Sequence, residues 1–179
     1  MRNILAALVI ATLLFLSSCD LSNIKHDPKL PPITTEGNNT FGCLVNGEIF
    51  IPEAPAGYGS GVYGEWQSLT DTVGVNIYAS NVTTKQTLII SIFDTPNLQV
   101  GKIYRLSKTN LTIDYVDYSK KPSCYYKTII DANIKLLKFD LTNPQRKIIA
   151  GTFEYTMSST DCMDTINTTE GRFDISDFQ

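Results

Sequence analysis

Nucleophilic catalysis by a serine or cysteine needs a histidine beside the nucleophile, and this 179-residue chain has one, His26. It stands in the proline-containing stretch from Asp20 to Thr40, outside any apolar run. The same scarcity removes a two-histidine zinc site, and no two cysteines have C-x₂₋₄-C spacing. Glycoside hydrolysis asks only for two carboxyl groups a few ångströms apart, and Asp114 with Asp117 or Asp161 with Asp164 are the candidates. Carboxylates three apart in a β loop read first as solvated turn residues. A hard cation such as Ca²⁺ would accept oxygens from Asp161, Asp164 or Asp174. Gly57-Tyr58-Gly59-Ser60-Gly61 lacks the lysine and the strand–turn–helix context that phosphate binding requires. The expectation is a protein with no catalytic constellation, no cofactor and no metal.

Binding is better provided for. Tyr58, Tyr63 and Trp66 sit in a glycine-spaced segment, and Tyr115, Tyr118, Tyr125 and Tyr126 in a second polar region. Such rings make flat platforms for sugar rings or partner side chains, with a polar edge for hydrogen bonds. The competing reading folds these rings back over the sheet ends. The charge balance, 15 Lys and Arg against 18 Asp and Glu, includes no basic cluster, which argues against a nucleic-acid partner.

Each of the four cysteines has its own context. Arg2 precedes an apolar run from Ile4 to Leu16, shorter than the ~20 residues of a spanning helix. That run fits the hydrophobic region of a secretory signal, and it ends in Leu16-Ser17-Ser18-Cys19, which resembles the bacterial lipobox. The resemblance implies cleavage before Cys19 and acylation there. Two or more acyl chains hold a protein on a membrane, at roughly 0.8 kcal/mol per buried methylene. An exported chain meets oxidising surroundings, and the remaining Cys43, Cys124 and Cys162 allow one bridge and one leftover thiol. Cys124 with Cys162 is the favoured pair, because both flank expected strands of the C-terminal half. Cys43, in an apolar strand, reads as a buried thiol.

These residues need a scaffold, and the pattern for one is all-β. Residues 1–18 read as the signal, 19–40 as the lipidated cysteine and an extended, solvated spacer, and 41–179 as a single β domain. Asn46-Gly47 between two short apolar runs is a hairpin signal. Pro52–Trp66 is too rich in Gly and Pro to hold regular structure for long. Val73, Val75, Ile77 and Ala79 alternate with smaller or polar residues, as a half-buried strand does. Thr87–Phe93 reads as a strand covered on both sides, and Val100–Leu106 and Leu111–Val116 as weaker strands. Ile129–Phe139 and Lys147–Met157 form a long pair, with Phe153, Tyr155 and Met157 on one face. A last hairpin is expected around Glu170-Gly171. Roughly nine strands and no sustained 3.6-residue period predict an antiparallel sandwich or a flattened barrel.

Two segments carry a family resemblance. Asn39-Thr40-Phe41-Gly42-Cys43-Leu44-Val45-Asn46-Gly47 is the first. The second runs from Ile149-Ala150-Gly151-Thr152-Phe153-Glu154-Tyr155 through Asp161-Cys162 to Glu170-Gly171-Arg172-Phe173-Asp174. Together they resemble a family of uncharacterised lipoproteins from Bacteroidota, a domain of unknown function. The resemblance implies a lipid-anchored β domain in the cell envelope, with the outer membrane as its expected site and its face left open. It supplies no catalytic residues. The expected function is non-enzymatic, in ligand binding or surface assembly, with a glycan or an envelope protein as partner. A carbohydrate-binding module, a small glycan-active enzyme and a structural partner of an outer-membrane complex are the alternatives.

Overall fold

A computed structural model describes residues 29–68, 70–106, 110–143 and 145–178. The expected signal, Cys19 and His26 lie outside these residues. The described residues are all-β, with eleven strands among them: β1 (Thr40–Val45), β2 (Glu48–Phe50), β3 (Val62–Ser68), β4 (Val73–Asn81), β5 (Gln86–Asp94), β6 (Ile103–Arg105), β7 (Leu111–Asp117), β8 (Cys124–Tyr126), β9 (Thr128–Asp140), β10 (Ile148–Ser159) and β11 (Asp164–Ile175). One sheet has the order β2-β1-β11-β10-β9-β6 and the other β3-β4-β5-β7-β8, every neighbouring pair antiparallel. The two are not joined into a barrel, so the architecture is a sandwich. Phe41, Phe153, Tyr155, Met157 and Phe173 from the first sheet meet Val75, Ile77, Leu88, Ile90 and Ile113 from the second in one core. Asn46 and Gly47 both take positive φ, 51° and 84°, at the β1–β2 turn, the geometry of a tight two-residue hairpin.

Three expectations are corrected. The Gly- and Pro-rich stretch contains a full strand, β3, whose Gly64 lies beneath the Phe178 ring. The Glu170-Gly171 hairpin does not exist: β11 runs straight through, with Glu170 as the extra residue of a bulge opposite both β1 and β10. Its φ is +52°, and Gly171 follows because the Phe153 ring occupies the place of a Cβ there. Thr87–Phe93 is covered on one face only. Leu88, Ile90 and Ile92 are buried, while Thr87, Ile89, Ser91 and Phe93 on the outer face are half-buried.

Residues 30–39 are docked on the domain and are not an extended, solvated stretch. Residues 34–39 dock on β11 and its continuation, where Asp174 binds this strap through Thr34 and three backbone N–H groups. Leu30 and Pro31 pack over Gly42, and the Arg146 guanidinium donates to the Glu36 carbonyl. The strap therefore covers part of the outer face of the six-stranded sheet.

Side chains also cross between the sheets. Asp94 at the end of β5 accepts from Lys102 Nζ at 2.6 Å and from the hydroxyl of Tyr104, on β6, at 2.9 Å. Burial alone would raise the Asp94 carboxyl, but these two donors and the Thr95 N–H outweigh it and hold the group below its ordinary range.

Candidate functional site

The structure separates Trp66 from the other two aromatics singled out in the sequence. Tyr63 and Trp66 are three apart on β3, and side chains alternate along a strand, so they point to opposite faces. Tyr63 lies on the outer face, stacked on Tyr78 with ring centroids 4.7 Å apart and planes within 12°. The Tyr78 hydroxyl donates to Glu65 Oε2 at 2.9 Å. Burial raises the pKa of both phenols, with Glu65 adding to the effect. Trp66 is paired in register with the core residue Val75. Lys147 Nζ sits 4.9 Å from its ring centre, a cation–π contact that occupies one ring face. Trp66 therefore belongs to the sandwich edge and not to a shared platform.

Tyr58 and Tyr63 do come together. They line a cleft of about 310 Å³ with Glu53, Ser60, Val82 and Asp177. A turn ties Tyr58 N–H to the Pro55 carbonyl at 3.0 Å, and its side chain is 79% exposed at the tip. The cleft wall is held by backbone bonds: Glu53 N–H to Ser80 O at 2.9 Å, Val82 N–H to Glu53 O at 3.0 Å, and Ser80 N–H to Gly61 O at 2.9 Å. Gly61 is needed there, with φ +75° and Glu53 backbone only 2.8 Å from where a Cβ would stand. Asp177 reaches the cleft because its backbone carbonyl accepts from Gly64 N–H at 2.7 Å, which draws the chain end against β3. Volume, an uncovered ring and two carboxylates match the features of a small-ligand cleft.

The carboxylate pairs do not assemble. Asp117 is buried on the inner face of β7, bonded to the N–H and hydroxyl of Ser119, while Asp114 lies on the outer face. Asp164 is taken up by Lys120 and Tyr126: Lys120 Nζ is 2.9 Å from Asp164 Oδ2 and 2.9 Å from the Tyr126 hydroxyl, which itself donates to Asp164 Oδ2 at 2.9 Å. The hydrogen bonds to Tyr126 and Asp164 raise the Lys120 pKa, and those from Lys120 and Tyr126 lower that of Asp164. Asp174 serves the strap. Of the three carboxylates considered for Ca²⁺, Asp164 and Asp174 thus have separate partners, and among the described residues no group of three His, Cys, Asp or Glu could hold a metal ion.

A disulfide joins Cys124 and Cys162, and Cys43 is a free, fully buried thiol. Burial pushes the Cys43 thiol up to about 12, slightly opposed by Arg172. Sequence reasoning missed Glu53 and Asp177, the acids of the cleft. The signal available was Gly61, but the approach of residues 53 and 177 to β3 is long-range pairing that no local pattern encodes. No family model, curated protein or solved structure matches the chain. Among the described residues no helix is long and apolar enough to cross a membrane.

Proposed function

We propose that this chain is a lipid-anchored envelope lipoprotein of the Bacteroidota type whose sandwich binds a glycan in the Tyr58–Tyr63 cleft. The observation that carries the reading is the exposed Tyr58 ring beside the carboxylates of Glu53 and Asp177 in one cleft. An aromatic face takes the apolar face of a sugar ring, and carboxylate oxygens accept its hydroxyls.

On a glycan array, Tyr58→Ala should weaken binding to any positive glycan by at least about tenfold, as loss of a central aromatic anchor does. Trp66→Ala should change it less than about twofold, because that ring is on the other face of β3. No bound glycan, or equal losses in both variants, would refute the cleft. The anchor is tested separately. Cys19→Ala should move the protein from the membrane fraction to the soluble fraction, since its acyl chains supply the attachment. A variant that still sediments with membranes would refute lipidation at Cys19 as the tether.

A further inference from the structure

A second groove, of about 320 Å³, lies on the outer face of the six-stranded sheet beside the strap, and its lining includes Ile33, Ile103, Lys135, Thr152, Glu170 and Arg172. Its floor is set by register. Ile103 pairs with Lys135, Lys135 with Thr152, and Thr152 with Arg172, so one cross-strand row carries a cation, a hydroxyl and a second cation. Adjacent strands lie about 4.8 Å apart, which puts the two cationic residues roughly 10 Å apart across Thr152. Both side chains are long enough to converge on one group above the hydroxyl.

Arg172 is short of acceptors. Its side chain is only 15% exposed, its Nε is buried with no hydrogen-bond partner, and its ion-pair carboxylate, Glu170, stands 3.8 Å away. Lys135 is exposed and takes part in none of the ion pairs among the described residues. A guanidinium that has lost most of its water and gained so little in return favours an incoming oxyanion. Glu170 itself is 60% exposed on its side chain and sits at positive φ in the bulge, able to swing away. Ile33 on the strap and Ile103 on β6 are both exposed beside this polar floor.

We propose that this groove binds an oxyanion, a carboxylate or a phosphate borne on a partly apolar ligand, between Arg172, Thr152 and Lys135, with Glu170 holding the place when the groove is empty. The site is on the opposite sheet from the Tyr58 cleft and does not depend on glycan binding there. The test is titration of the detergent-solubilised full chain with butyrate and with butyl phosphate, followed by amide NMR. Saturable shifts at Lys135, Thr152 and Arg172 are expected. Glu170→Gln should tighten binding by about fivefold by removing the competing carboxylate, and Lys135→Glu should abolish saturation. The tighter probe identifies which oxyanion the groove prefers. No saturation by either probe up to about 50 mM, or affinities the same in both variants as in the wild type, would overturn the proposal.

Discussion

Replacing Asp174 with alanine should lower the stability of the fold by about 3–4 kcal/mol, read as a shift of the urea midpoint at an unchanged slope. The carboxylate is 1% exposed and accepts four hydrogen bonds: Thr34 Oγ1 at 2.6 Å, Gly37 N–H at 2.7 Å, Glu36 N–H at 3.0 Å and Asn38 N–H at 3.3 Å. All four donors come from the strap. Charge-assisted bonds of this kind are stronger than neutral ones, and deleting the acceptor orphans three backbone donors together. Water can reach some of them once the strap lifts, because Glu36 and Asn38 are already exposed, and this keeps the loss below the sum of four bonds. Asp174→Asn should cost nearly as much, since an amide turns one of its two ends into a donor facing donors. Thr34→Val removes one bond and should cost about 1 kcal/mol. If Asp174→Ala stayed within 1 kcal/mol of the wild type, the strap would not be part of the cooperative fold.

The strap shows where the sequence stops being informative. Asp174 and its donors are 136 to 140 residues apart, and nothing in the composition of residues 30–39 distinguishes a docked strap from a free tether. Local signals fared differently. The alternation of Phe153, Tyr155 and Met157 with Thr152, Glu154 and Thr156 appears as the inner and outer faces of β10. Asn46-Gly47 turns the β1–β2 hairpin as its φ preference demands. Glycine misled twice, and for one reason. Gly64 and Gly171 read as breakers, yet each sits inside a strand where an aromatic ring, Phe178 or Phe153, needs the space. A glycine that frees the backbone and a glycine that makes room look the same in one sequence. The aromatic site was half legible for a related reason. In a loop the odd spacing of Tyr63 and Trp66 carries no meaning; on a strand it sends them to opposite faces.

Removing the Cys124–Cys162 bridge should destabilise the protein by about 4 kcal/mol, the chain-entropy figure for its separation of 38 residues. Cys124 begins β8 in the five-stranded sheet, and Cys162 lies in the turn between β10 and β11 of the other. The bond therefore crosses the sandwich, at the end where Lys120, Tyr126 and Asp164 also meet. Asp164 and Lys120 are each more than a third exposed on their side chains, so solvent and salt weaken that ion pair and it cannot replace the covalent link. The comparison to make is urea unfolding of Cys124→Ala/Cys162→Ala against the oxidised wild type. A loss under 1 kcal/mol would mean that core packing alone fixes this end. Cys43 keeps the experiment clean. A thiol raised to about 12 and wholly buried carries almost no thiolate at neutral pH, and the thiolate is the species that attacks a disulfide. Unfolding in urea without reductant should therefore raise the number of thiols reactive to an alkylating reagent by one, Cys43. A rise of two or more would show that Cys124 and Cys162 are not joined.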